Sequence, residues 1–170
     1  MSEIRLIAKE AMEETRSLVA GLREVALSAE LENASEVLTL AGAECELEIA
    51  GSPAGVDARR VLAFAVREAT TNILRHSNAS AAAIVLAPTR GGFELSITND
   101  GVGDAQTPGG GSGIAGLRER VAAIGGTVDT SVGRSDAGLS NAGLSDAGLS
   151  DAAPSGSFAL RVWVPEGSAR

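Results

Sequence analysis

Between residues 44 and 99 the hydrophobic period of the sequence changes twice, and this limits the folds open to the chain. "ECELEIAG" alternates apolar and polar residues, the period-two signature of a strand. "GVDARRVLAFAVREATTNILRHS" then reads as a long helix, with Pro53 just upstream of its start. "AAAIVLAP" reads as an apolar strand, and "GGFELSITND" alternates Phe93, Leu95 and Ile97 against polar neighbours. Gly91 and Gly92 supply the turn between these two strands. A glycine-rich passage, 101–113, opens into the helix "GIAGLRERVAAIGG", and the chain closes on the strands "TVDTSV" and "SFALRVWVP". Strands and helices are therefore interleaved along one stretch of chain.

Two segments stand apart from this pattern. Residues 4–25 carry Ile4, Ala8, Ala11, Thr15, Leu18, Leu22 and Val25 at alternating spacings of four and three, a heptad-like seam on a long helix. Such a helix either lies on its own domain or joins a bundle or dimer stalk. "LSAELENASEVLTLAG" follows as a partly helical connection ended by Gly42. Residues 135–154, "SDAGLSNAGLSDAGLSDAAP", are a five-residue unit in four copies, the last altered. Four units of this composition cannot bury a core, so the segment reads as an expanded hairpin turn.

Composition excludes several classes. The 170 residues suit one domain with an appendage, and no apolar run reaches the roughly 18–20 residues of a membrane span. "MSEIRLIAKEAMEE" is charged throughout and lacks the apolar core of a signal peptide, so a soluble cytoplasmic chain is expected. One cysteine, Cys45, and one histidine, His76, make neither a disulfide nor a zinc site. Cys45 reads as a small half-buried strand residue. A net charge of −8 argues against a nucleic-acid surface, which must offset phosphate charge with Lys and Arg.

The long helix raises the functional question. At 3.6 residues per turn Glu68, Asn72 and His76 share one stripe, with Arg75 beside it and apolar Phe64, Ala65, Ala69 and Ile73 as neighbours. A half-buried carboxylate is costly unless it is paired or coordinates a cation. Taken alone, the stripe is also consistent with a solvated helix edge. Further on, "NDGVG", 99–103, follows a strand end with glycines that let the backbone turn sharply and approach a ligand. "GGGSGIAGLRER", 109–120, places Gly111 and Gly113 before a helix, where unpaired amides and the helix dipole favour an anion. Each motif is weak alone, and their order is more specific. The glycines do not follow the first strand as in a Rossmann fingerprint, and no G-K-[ST] Walker sequence is present.

The ordered set resembles the ATP-binding catalytic domain of sensor histidine kinases, in the wider superfamily that also holds gyrase and MutL. "REATTNILRHSNA" is similar to that family's N box, "NDGVG" to its G1 box and "GSGIAGLRERV" to its G2 box. With "EETRSLVAGLRE", similar to the end of a dimerisation helix, the resemblance is nearest to the nitrate-sensor and DesK-like kinases. It implies an α+β fold: a two-layer α/β sandwich, the Bergerat ATP-binding fold, with a mixed, mostly antiparallel sheet, helices on one face and an N-terminal helix. Residues 1–30 would be the C-terminal part of a dimerisation helix. Residues 31–170 would be the ATP-binding catalytic domain, with 135–154 as a low-complexity loop.

Carried over by residue, the resemblance implies ATP and Mg²⁺ as ligands. Asn72 would give its amide oxygen to the metal, and Glu68 would act catalytically through a metal-bound water or by polarising the reacting group. Asn99 would face the adenine amino group, and Gly101 and Gly103 would let the backbone wrap the base. Gly111, Ser112, Gly113, Ile114, Ala115, Gly116 and Leu117 would form the lid edge and the phosphate-facing helix start. His76 would either lie near the phosphates or satisfy local carbonyls at the helix end. The chain departs from the family pattern at Asn99, where aspartate is usual. It also lacks the acceptor histidine of a first dimerisation helix, since His76 belongs to the N box. The implied function is a protein histidine kinase, its catalytic domain alone, inactive without the acceptor. Implied partners are a histidine-bearing dimerisation domain, a response regulator and a homodimer mate through the N-terminal helix, with no nucleic acid or membrane contact. An anti-sigma-factor-like serine kinase and a non-catalytic nucleotide-binding module are the alternatives.

Overall fold

The computed structural model describes residues 27–102, 112–133 and 156–167. The heptad seam of 4–25, Gly103, Gly111 and the repeat of 135–154 lie outside the described residues. The first described element is helix α1, residues 27–40, which ends at Gly42 with the amide of Ala43 donating to the carbonyl of Leu38 (3.1 Å). It is followed by β1 (Glu44–Ile49), α2 (Val56–His76), β2 (Ala81–Thr89), β3 (Gly92–Asn99), α3 (Ser112–Ala122), β4 (Thr127–Val132) and β5 (Phe158–Pro165).

The five strands form one sheet in the order β1-β2-β3-β5-β4. β1 and β2 run parallel because the 21-residue helix α2 carries the chain back across the sheet between them; every other pair is antiparallel. The register sets one face inward. Ile84 pairs with Ile97 and Ile97 with Leu160, and Leu86 with Leu95 and Leu95 with Val162, all fully buried. On α2 the buried positions Leu62, Val66, Ala69 and Ile73 recur at spacings of four and three, and Leu27, Leu31 and Leu38 of α1 and Leu117 and Val121 of α3 join the same core. This is the expected α+β two-layer sandwich, with the mixed, mostly antiparallel sheet on one side and the helices packed on one face. Among the described residues no helix is long and apolar enough to cross a membrane. Cys45 is half-buried in β1, as its alternating context indicates.

One turn differs in detail from expectation. The two-residue loop between β2 and β3 is Arg90–Gly91, and Gly92 already pairs with Thr89 as the first residue of β3. Gly91, at φ 82°, takes the left-handed conformation that such a tight hairpin demands.

β4 and β5 pair up to the edge of the repeat. Val132 faces Phe158, Gly133 donates to the carbonyl of Ser157 (2.8 Å), and Gly156 donates to that of Gly133 (2.6 Å). The residues that flank 134–155 thus meet in one ladder. Replacing 134–155 by Asn-Gly is expected to keep the fold and raise stability by about 1–2 kcal/mol, since each doubling of loop length costs about 0.6 kcal/mol. Chemical denaturation measures this; a loss of folding would mean that the repeat packs on the domain.

Candidate functional site

The C-terminal half of α2 and the turn after β3 are fastened to each other. α2 stops at Ser77, whose amide and Oγ both donate to the carbonyl of Ile73 (3.0 and 2.8 Å). Ser77 then bridges Val102 in antiparallel fashion, and the amide of Asn78 donates to the carbonyl of Gly101 (3.1 Å). Gly101 has φ 74°, and a Cβ there would come within 2.3 Å of the carbonyl oxygen of Asn78. Backbone lies on backbone at this point, so only glycine fits.

Asn99, the last residue of β3, sits on the helix-facing side of the sheet opposite Ala82 and is 4% exposed. Its Nδ2 donates to the carbonyl of Asp100 (2.6 Å). That bond orients the amide: its donor end is turned to the protein's own backbone, and its oxygen is the end that accepts. Asp100 has a separate task. Its carboxylate accepts from the amide and hydroxyl of Ser80 (2.7 and 2.5 Å) and the amide of Ala81 (2.9 Å), tying the turn to the start of β2. The Ser80 hydroxyl and then the Ala81 amide hold its carboxyl below the ordinary carboxylate range.

The start of α3 closes on α2 from the other side. A Cβ on Gly113 would overlap the Glu68 carboxylate, with Oε2 only 1.9 Å away. The Gly113 backbone therefore lies directly on the Glu68 side chain. Glu68 and Asn72, one helical turn apart, are both half-buried, and His76 at the helix end is exposed. Beyond Gly113, Ile114 packs partly against the core, Ala115 is exposed, Gly116 faces open space and Leu117 is fully buried. Ser112 begins the helix. The hydroxyls of Thr70 and Thr71, between Glu68 and Asn72 in sequence, both donate back to helix carbonyls (2.8 Å each). The polar groups that α2 offers here are thus a carboxylate and an amide, an oxygen set suited to a hard cation such as Mg²⁺. Among the described residues no cluster of three or more His, Cys, Asp or Glu side chains is placed to hold a metal ion.

Two residues escaped the sequence reading. Asp100 carries no role in the sequence reading beyond its place in "NDGVG", although aspartate beside a turn commonly captures nearby amides. Arg59 falls in phase with Leu62, Val66, Ala69 and Ile73, so the stripe itself marked it as a buried cation.

Because folding depresses the Asp100 pKa, its clamp stabilises the fold above the ordinary carboxylate range and is lost as pH falls through the lower folded value. Asp100→Ala is expected to be less stable than the parent at neutral pH, with the gap narrowing as pH drops below the ordinary carboxylate range. Urea titrations of both proteins across pH measure it. A gap independent of pH would show that the ionised carboxylate is not what holds the turn.

No family model matches the chain. Sensor histidine kinase YvfT of Bacillus subtilis (strain 168) is 28% identical over 131 residues, which are 76% of this chain and 35% of that protein, so the chain spans about a third of its curated relative. Among solved structures, the Acinetobacter baumannii histidine kinase AdeS superposes with a TM-score of 0.55 at 18% identity, covering 95% of this chain and 80% of that one. Full-length ShkA, solved in complex with AMPPNP, gives 0.55 at 18% identity over 86% of this chain and 30% of its own. None of these likenesses singles out the nitrate-sensor or DesK-like branch. The chain has the Bergerat fold of histidine-kinase catalytic domains.

Proposed function

We propose that this chain is the ATP-binding catalytic domain of a two-component sensor histidine kinase, one that holds Mg-ATP for phosphoryl transfer to a histidine on a dimerisation domain. The observation that carries the reading is the meeting of three motif segments on one half of α2: Gly113 against Glu68, and the 99–102 turn against Ser77 and Asn78. ShkA, which shares the fold, was solved with a nucleotide analogue. In this reading residues 1–30 belong to the end of a dimerisation helix, and a response regulator receives the phosphoryl group.

The residues divide the work by chemistry. Mg²⁺, when bound, would supply the positive charge that offsets the phosphates. The Asn72 amide oxygen is its protein ligand, and Glu68 acts one turn away through water or on the reacting group. Asn99 accepts from the adenine amino group with the oxygen that its Nδ2 bond to Asp100 turns away from the backbone. Gly101 and Gly103 line the base, and Gly111, Ser112, Gly113, Ile114, Ala115, Gly116 and Leu117 form the lid edge and the helix start that faces the phosphates. His76 stands at the end of the same stripe as Glu68 and Asn72.

The asparagine in place of the family's aspartate also finds a reason. A carboxylate at position 99 would set a second acceptor where Nδ2 now donates to the Asp100 carbonyl. Base selection then rests on a neutral acceptor, worth about 1 kcal/mol when matched and more when it opposes another acceptor. Calorimetric titration tests the whole reading. ATP is expected to bind at micromolar affinity, about −7 to −8 kcal/mol, with Mg²⁺ tightening the complex. Asn72→Ala should remove most of that Mg²⁺ dependence. GTP, which carries a carbonyl where ATP has its amino group, should bind about tenfold or more weakly, a gap of about 1.4 kcal/mol that Asn99→Leu erases. Equal affinity for both nucleotides in the parent protein would remove Asn99 from the base site, and unchanged Mg²⁺ linkage in Asn72→Ala would remove the metal assignment.

A further inference from the structure

The Asn99 amide can select a base only while one end of it faces the site. Left free, a primary amide turns about its last carbon–carbon bond and offers either its oxygen or its NH2. In one pose it accepts from the adenine amino group, and in the other it donates to the guanine carbonyl. The carbonyl of Asp100 removes the second pose. It lies 2.6 Å from Nδ2 of Asn99, and a carbonyl oxygen only accepts. A turned amide would set oxygen against oxygen in a residue 4% exposed, with little water to relieve the conflict.

That carbonyl is held in turn by the side chain of its own residue. Oδ1 of Asp100 accepts from the amides of Ser80 (2.7 Å) and Ala81 (2.9 Å), and Oδ2 accepts from the Ser80 hydroxyl (2.5 Å). The Asp100 amide donates to the Ala81 carbonyl (3.1 Å). On the far side Gly101, at φ 74°, turns its own carbonyl to the amide of Asn78 (3.1 Å). The peptide unit that joins Asp100 to Gly101 is therefore fixed at both ends, by the carboxylate before it and the glycine turn after it. Ser80 and Ala81 are exposed, so water can take their donors when the carboxylate is removed. No core side chain takes part in the clamp, and its work is to order the turn.

We propose that Asp100 is a positioning residue for base selection: its carboxylate, bonded to Ser80 and Ala81, holds the Asp100 carbonyl against Nδ2 of Asn99 and so keeps the amide oxygen toward the base. The identity of the base comes from the nucleotide reading above, whereas the chain of bonds does not depend on it. The division of labour between the two carboxylate oxygens separates the conservative variant from the truncation. In Asp100→Asn one oxygen can still accept from both amides, and the new NH2 can donate to the Ser80 hydroxyl. Asp100→Ala loses all three bonds.

Two measurements test the proposal. In nucleotide-free protein, NMR follows hydrogen exchange of the Asn99 side-chain NH2, identified by its absence from Asn99→Leu. Asp100→Ala is expected to speed that exchange about tenfold or more, and Asp100→Asn to leave it near the parent rate. Calorimetric titration with Mg-ATP and Mg-GTP reads the consequence. The ATP preference of the parent, about tenfold or more, should fall to about threefold or less in Asp100→Ala, with GTP binding more tightly than in the parent, and should return in Asp100→Asn. General loosening of the site would weaken both nucleotides and leave their ratio alone. If Asp100→Ala does not fold, Ser80→Ala removes only the hydroxyl bond and should move both readouts in the same direction by about twofold. Unchanged exchange in the folded alanine variant, faster exchange with the ATP preference intact, or Asp100→Asn behaving like Asp100→Ala would each overturn the proposal. A parent protein that binds neither nucleotide would overturn the nucleotide reading and the role in base selection with it, and the exchange rates distinguish that failure from a failure of the clamp.

Discussion

The turn after β3 rests on the end of α2 with backbone touching backbone, and the arrangement of the candidate site depends on that contact. Gly101 is pressed onto the carbonyl of Asn78, where any side chain would collide. The Asp100 carboxylate adds three bonds, accepted from Ser80 and Ala81. The result is that the end of β3, which carries Asn99, and the end of the helix that carries Glu68 and Asn72 cannot shift independently. Asn99 and the Glu68–Asn72 pair, on two separate elements, are thereby held at a fixed separation, the kind of preorganisation that positioning chemistry needs.

The same economy of side chains appears at the start of α3. Gly113 has no Cβ because the Glu68 carboxylate occupies that space, whereas Gly116, one turn later, faces nothing and Leu117 is core. The glycine-rich passage thus contains positions with different physical constraints. Gly113→Ala meets a carboxylate, and Gly116→Ala would only gain the helix propensity of alanine. The sheet supplies the rigid base for both contacts, since Ile84, Leu86, Leu95, Ile97, Leu160, Val162 and Val164 are all fully buried.

Much of this was legible in the sequence because the signals are periodic. The stripe of Glu68, Asn72 and His76 follows from helical spacing alone. Alternation at Phe93, Leu95 and Ile97 fixed which face of β3 turns inward, and with it the side on which Asn99 lies. The order of the sheet was not legible from period, because nothing local says that β5 inserts between β3 and β4. The roles of Asp100 and Arg59 were hidden for a different reason. Each depends on partners brought up by the fold, Ser80 and Ala81 for one, Pro53 and Ala54 for the other. The turn at Arg90–Gly91 was missed by one residue because two adjacent glycines leave the hairpin register ambiguous until the cross-strand partners are known.

The central claim is that three separated segments form one nucleotide site along the C-terminal half of α2. Amide chemical-shift mapping during a Mg-ATP titration tests it most directly, because it reports location as well as affinity. The account expects saturable shifts on one common binding curve at Asn72, at Asn99 through Val102 and at Gly113, with the outer sheet residues Glu46 and Ser96 unmoved. Shifts confined to one of the three segments, or distinct binding curves at α2 and at the turn after β3, would contradict it.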